Sequence, residues 1–319
     1  MSRLISLRAA ALAAVAGLGI ASVAQAEIIF GMTGASAGVN LVNFDSATPG
    51  AVTTVGALSG VVAGHGMRSI DFRPFNGQLY GISTNGVDAA QVYTIDTATG
   101  VATPAGVGFT LTGMSGTRVS MDFNPAADRL RIVGANGTTG VTGNYRFNPN
   151  TNAFVLQDTN LAYAAGDVNE PLGNPPFVIG TAYDRNDNDP LTATTMYTFD
   201  FNNDDLSTTG SINGVPNSPN TGLMNTIGGP PGFLTNTGGV GFDISGVTGT
   251  AYLSYDTFAA PIGTEVLDTM DLATGLTTRI GGFQTGINML DISAAPIPEP
   301  TTLGLAGVAA MGLLRRRRA

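Results

Sequence analysis

Five copies of a four-strand unit, one of them split between the chain's two ends, together with a glycine-rich and charge-poor composition, predict an all-β fold. The expected architecture is a β-propeller of five four-stranded blades, closed by pairing the C-terminal strand with the N-terminal blade. Forty-four glycines in 319 residues suit many tight turns, where glycine supplies positive φ values.

The clearest unit runs from Ser69 to Gly100. An apolar strand ends at Asp71, and a Pro/Asn/Gly turn leads to a second strand with Tyr80. A polar loop then leads to a third strand with Tyr93 and Ile95, and Asp96 opens a turn closed by Gly100. The first strand recurs at Ile70-Asp71-Phe72, Met121-Asp122-Phe123, Ala182-Tyr183-Asp184, Phe242-Asp243-Ile244 and Leu290-Asp291-Ile292. A second polar position recurs at Asp45, Asp96, Asn148, Asp200 and Asp271, the fourth copy being the least regular. The body opens at Glu27 with a unit lacking its first strand, and a lone first-strand copy stands at Ile287 to Ile292, so the ends complete one another. Two connections, Asp158 to Phe177 and Ser211 to Thr237, exceed hairpin length. A sixth blade would need a degenerate element in the first of them. No helix of consequence is expected in the body.

The domain plan is a leader (1–26), the β body (27–295) and a tail (296–319). The leader has a secretory pattern: Arg3 and Arg8, an apolar stretch Ala9 to Val23, and small residues Ala24 and Ala26 around a cleavage point. A permanent amino-terminal anchor is the alternative. In the tail, Pro298-Glu299-Pro300 precedes the apolar run Thr301 to Leu314, followed by Arg315, Arg316, Arg317 and Arg318. Fourteen helical residues span about 21 Å against a hydrocarbon core of about 30 Å, so the run suits a transient transmembrane helix better than a permanent one. An ordinary tail anchor facing the periplasm is the competing reading.

All fourteen basic residues are arginine, and six lie in the leader and tail. The body is left with eight arginines against 22 acids, which excludes a nucleic-acid function and favours divalent cations. Cysteine is absent, so no disulfide is available to a chain bound for an oxidising compartment.

The three-part tail resembles the PEP-CTERM sorting signal of Gram-negative bacteria that make exopolysaccharide. That resemblance implies cleavage near Pro298-Glu299-Pro300 by an exosortase-type membrane protease, after a signal peptidase has removed the leader. It also implies transient inner-membrane anchoring and release to the outer surface or biofilm matrix. The aspartate repeat, Tyr80, Tyr93 and the stretch Ser120 to Val133 resemble a family of uncharacterised secreted bacterial proteins, a propeller-like domain of unknown function, over Ile28 to Ile292. The family implies a fold and supplies no catalytic residues.

Gly34-Ala35-Ser36-Ala37-Gly38, with Asp45 and His65 downstream, matches a nucleophile-elbow pattern. That chemistry needs a strand-to-helix turn on a parallel sheet, and this match lies between two strands of one blade. His65 is the single histidine, with no cluster around it for zinc, and a Walker loop needs a lysine that is absent. Asp184, Asn186, Asp187, Asn188 and Asp189 form the densest oxygen cluster and the candidate Ca²⁺ site, although not in EF-hand register. Its plain reading is an Asx-rich turn.

Asp71, Asp122, Asp184, Asp243 and Asp291 are the candidate ligand-binding residues if innermost strands ring a channel. In that case converging carboxylates suit a polysaccharide-acting enzyme, a glycosidase or lyase. The plainer expectation is that each caps its own turn once per blade. Arg73, Arg129 and Arg131 are expected to pair with those acids. The leading functional expectation is a non-catalytic binding or structural protein of the exopolysaccharide matrix. No cofactor is required, and Ca²⁺ is the one ion the residues invite.

Overall fold

The computed structural model describes residues 26–296, except 36–37, 115, 117, 137–138, 171–172, 174, 188, 230–234 and 258–263. Blade 1 contains β1 (Ile28–Ala35), β2 (Gly38–Asp45) and β3 (Thr53–Ala57), with β22 (Met289–Ala294) arriving from the other end of the chain. Blade 2 is β4 (Gly66–Phe72), β5 (Leu79–Thr84), β6 (Ala89–Ile95) and β7 (Ala102–Pro104), and β8 (Phe109–Thr110) also pairs with β6. Blade 3 is β9 (Arg118–Asn124), β10 (Arg129–Ala135), β11 (Thr142–Asn148) and β12 (Ala153–Gln157). Blade 4 is β14 (Val178–Tyr183), β15 (Met196–Asp200), β16 (Asp205–Thr209) and β17 (Leu223–Gly228). Blade 5 is β18 (Thr235–Ile244), β19 (Ala251–Thr257), β20 (Thr264–Met270) and β21 (Thr277–Gly282).

The predicted closure is present: β22 runs antiparallel to β1, with Ile29 opposite Ala294 and Gly31 opposite Ile292. Strands β22, β4, β9, β14 and β18 are innermost and neighbour one another in that order around the axis. Five apolar clusters fill the five seams between blades, one cluster per seam. Met32 and Leu41 meet Ile70 and Tyr93 between blades 1 and 2, and Tyr80 meets Met121 and Phe123 between blades 2 and 3. Val133 meets Tyr183, Phe199 meets Phe242, and Leu267 meets Ile29 at the other three seams. Burial on both faces explains why β5 and β14 are buried along their whole length, while outermost β3 and β12 are largely exposed.

Among its described residues the stretch Asp158 to Phe177 holds no sixth blade. It contributes β13 (Ala162–Tyr163), which adds to the outer edge of blade 4 parallel to β17. The fourth unit also departs from the sequence alignment. Asp200 ends the second strand of its blade, not the third, because the acidic stretch after Tyr183 is a loop joining β14 directly to β15. The second polar residue nevertheless caps its own turn in all five copies, Asp200 Oδ1 accepting from Asn202 N at 2.8 Å. The Asp45, Asp96, Asn148 and Asp271 side chains each accept the backbone N–H two residues on, at 2.7–3.0 Å.

Among the described residues no helix is long and apolar enough to cross a membrane, and the run Thr301 to Leu314 lies outside them, as do Ala24, Ser36 and the tail residues from Pro298 on. A chain ended at Asn288 would leave the inner side of β1 unpaired. Such a chain is expected to lose its single cooperative melting transition and to self-associate in sedimentation; a monomer that still melts cooperatively would contradict the closure.

Candidate functional site

The innermost strands are held together by side chains that accept backbone N–H groups of the next strand around the ring. From β4 to β9, Ser69 Oγ accepts from Met121 N at 3.0 Å and Asp71 Oδ2 from Phe123 N at 2.8 Å. From β9 to β14, Ser120 Oγ accepts from Thr181 N and Asp122 Oδ1 from Tyr183 N, both at 2.9 Å. From β22 to β4 the pair is reversed in sequence: Asp291 Oδ2 accepts from Ile70 N at 2.8 Å and Ser293 Oγ from Phe72 N at 3.2 Å. From β18 to β22, Asp243 Oδ2 accepts from Ala294 N at 2.5 Å. The equivalent β14 positions are Gly180 and Ala182, which carry no acceptor. There the strands rely on close approach, since a Cβ on Gly180 would lie 2.9 Å from Phe242 Cβ.

These bonds revise the aspartate repeat. Asp71, Asp122 and Asp243 share one register, Asp291 stands two residues earlier in the serine position, and Asp184 lies beyond the end of β14. The aspartates of the inner strands lock neighbouring blades, where capping of their own turns was expected. Asp184 instead accepts from Thr195 N at 2.6 Å and pairs with Arg185.

Asp71, Asp122 and Asp243 each present a carboxylate oxygen within 4.8 Å of the others. They are 4%, 1% and 4% exposed, so neighbouring negative charge is poorly screened. Burial, and then the Asp243 charge, holds Asp71 well above the usual carboxylate range; burial and the charges of Asp71 and Asp243 do the same for Asp122. Burial raises Asp243 to about 6 and Asp291 to about 8.

The expected arginine partners are elsewhere. Arg73 Nε binds Asp128 Oδ1 at 2.7 Å, Arg131 Nη1 binds Asp158 at 2.6 Å, and Arg129 donates to the carbonyls of Ala127 and Asp128. The mutual repulsion and burial of the central carboxyls therefore favour their protonated forms. Ca²⁺ takes 6–8 oxygens, so three carboxylates already engaged with backbone N–H groups would need water to complete a shell. In the acidic loop, Asp187 and Asp189 accept from backbone N–H groups two residues on, and Asn186 Nδ2 donates to Ile244 O.

Two cavities lie at opposite ends of the axis. The leading one, where the inner strands begin, has a volume of about 230 Å³ and includes Arg68, Arg118, Ser120, Asn288 and Asp291 in its wall. The trailing one, where they end, has about 650 Å³ and brings Asp71 and Asp243 beside Asn186 and Asp187, two sets that are distant in sequence. Phe30, Phe72 and Phe75 supply its aromatic wall; Phe30 packs edge-on to Phe72, and Arg73 lies over the Phe75 ring. Asn186 Oδ1 is buried without a partner. His65 sits beside the leading end, bonded to Ser83 Oγ at 3.1 Å, and its imidazole is lowered by burial and by Arg68.

Sequence reasoning missed Ser69, Ser120 and Ser293 as lock residues and Arg68 and Arg118 as mouth residues. The Ser-x-Asp spacing of Ser69/Asp71 and Ser120/Asp122, with its mirror Asp291/Ser293, was the available signal.

A carboxyl whose folded value is raised binds a proton more tightly in the folded chain than in the unfolded one. Its stabilising effect is complete below the unfolded value of about 4 and is lost as pH rises through the folded value. The metal-free protein is therefore expected to lose melting temperature between about pH 4 and pH 8. Glu265 acts in the same direction, raised to about 9 by burial and by Asp256 across the strand pair. Asp291→Asn, which keeps an acceptor for Ile70 N, should flatten the part of the decline between pH 6 and 8. Calorimetry that finds an unchanged slope would contradict neutral carboxyls at the axis.

No curated protein matches the sequence. Among solved structures, the chain is similar to a chain of the nidogen/laminin complex, at 10% identity and a TM-score of 0.45, covering 85% of this chain and 98% of that one. It is similar also to a putative 6-phosphogluconolactonase from Bacteroides fragilis, at 12% identity and 0.43, covering 84% of each. A GH43 β-1,3-galactosidase gives 7% identity and 0.49, over 82% of this chain and 57% of that one. Residues 296–318 match the PEP-CTERM protein-sorting motif, which marks an exported, surface-sorted substrate of exosortase processing. Residues 40–293 match the domain of unknown function DUF4394, and the chain belongs to that family.

Proposed function

We propose that the exported body is a non-catalytic glycan-binding module of the exopolysaccharide matrix, and that its ligand occupies the trailing cavity. The observation that carries this reading is the wall of that cavity. Three phenylalanine rings face Asp71, Asp243, Asn186 and Asp187 in about 650 Å³, within the usual range of about 300–1,000 Å³ for ligand sites. Sugar rings offer an apolar C–H face and hydroxyl donors, and such a wall meets both. Processing by a signal peptidase and then an exosortase, with Thr301 to Leu314 as a passing inner-membrane anchor, delivers the body to the matrix.

The alternative, hydrolysis of a polysaccharide by inner-strand carboxylates, has less support. Retaining and inverting pairs stand about 5–9.5 Å apart around the scissile bond. Here three carboxylates lie within 4.8 Å, and each holds a backbone N–H.

The purified protein is expected to be retained on its host's native exopolysaccharide. Phe75→Ala should weaken retention about tenfold while leaving the melting temperature near that of the wild type, since Phe75 is 57% exposed. Release of new reducing ends, abolished by Asp122→Asn, would establish the enzyme instead; absence of retention with or without Ca²⁺ would remove the binding module.

A further inference from the structure

Each inner strand contributes one residue immediately before its first lock position: Arg68, Val119, Ile179, Val240 and Leu290. All five line the leading cavity. Four are aliphatic and form a collar; in a ring of repeated blades the arginine is the departure. Local rules are broken most often where function requires it.

Three of the five are the extra residues of β-bulges. The register slips between Met67 and Ser69 on β4, between Val178 and Gly180 on β14, and between Met289 and Asp291 on β22. Bulges re-aim side chains, and these lie at one height around one opening. The backbone is therefore shaped to present Arg68, Ile179 and Leu290 to the same space.

Arg68 is held in place on one side. Its Nε donates to Thr84 Oγ1 at 3.0 Å, and Gly66 makes room for it, since a Cβ there would lie 3.2 Å from Nη2. Among the described residues Arg68 makes no ion pair, whereas Arg73, Arg131, Arg146, Arg185 and Arg279 each do. Arg118, on β9, and Asn288, just before β22, lie in the same wall. Burial lowers both guanidinium groups, and the Arg118 charge adds to the effect on Arg68, so two like charges share one small space. Asp291 also borders the cavity, but its Oδ2 is engaged by Ser69 Oγ and Ile70 N.

We propose that the leading mouth is a second binding site, which takes a small carboxylate ligand of the sugar-acid class. The carboxylate is received by Arg68 and Arg118, and the C–H face rests on Val119, Ile179, Val240 and Leu290. Planar guanidinium forks match a carboxylate, and an anion between them relieves their mutual repulsion. A volume of about 230 Å³ admits one ring and excludes a bound chain. The surrounding body, with eight arginines against 22 acids, repels a long polyanion, so the ligand is a free sugar acid or a chain end. This site is separate from the trailing cavity, and either can fail without the other.

Titration of the purified protein with galacturonate, galactose and inorganic phosphate at low salt tests the proposal. Galacturonate is expected to bind, galactose is not, and affinity should fall as salt is raised. Arg68→Met should weaken galacturonate binding about tenfold or more, with Arg129→Gln as a surface control that leaves it unchanged. If the melting curve of Arg68→Met shows that it does not fold, Arg118→Gln and Arg68→Lys carry the same comparison. A folded wild type that ignores galacturonate, arginine variants that bind as the wild type does, or a preference for phosphate would each overturn the proposal. Loss of matrix retention with galacturonate binding intact would count only against the trailing cavity.

Discussion

The fold depends on one recurring interaction: a short polar side chain on an innermost strand accepts a backbone N–H from the next innermost strand. Strands around a propeller axis splay too far apart to form a ladder across blades, so their inward N–H groups need another acceptor. Serine and aspartate supply it from the β22, β4, β9 and β18 sides. Each such bond is worth about 0.5–1.5 kcal/mol when made and about 1–3 kcal/mol when its buried donor is left alone. Seven of them at one axis add direction and register to the blade contacts that the apolar seams stabilise. Ser293 extends the network by donating to Asp71 Oδ1 at 2.9 Å, linking the closing strand to blade 2.

The same choice of residues creates the electrostatic character of the axis. Carboxyls suited to gripping N–H groups are brought together by the convergence of the strands, and the body's few arginines are spent elsewhere. Arg73, with Asp128 and Asn150, joins blades 2 and 3; Arg131 and Arg146 converge on Asp158. The axis is consequently a plug of buried carboxyls, each raised above its ordinary value by burial, between a mouth with two arginines and a mouth with aromatic rings. Glu27 closes the outer circuit at the start of the body, accepting from Tyr252 Oη at 2.8 Å and from Thr248 Oγ1 at 3.0 Å.

The repeat, the blade count and the ring closure were legible because they rest on local chemistry: apolar strands, Asx turns and a split unit. Asp45, Asp96, Asn148 and Asp271 behave as their sequence context says. The inner aspartates did not, because a lock is defined by what lies across a seam, about fifty residues away in sequence. Alignment on the letter Asp therefore admitted Asp184 and misplaced Asp291 by two residues. Blade 4 misled for a related reason: its long loop falls between the first and second strands, where the other units have a short turn. Arg68 was invisible as a site residue because only the β-bulge, a backbone feature, turns it into the opening.

Amide hydrogen exchange tests the central claim most directly. If the side-chain locks hold the ring, the amides of Ile70, Phe72, Met121, Phe123, Thr181, Tyr183 and Ala294 exchange only through global unfolding, together and at a common free energy. The seam between β14 and β18, which lacks a lock, is where exchange begins. Lock amides that exchange faster than those of the paired strands β5 and β6 would contradict the account.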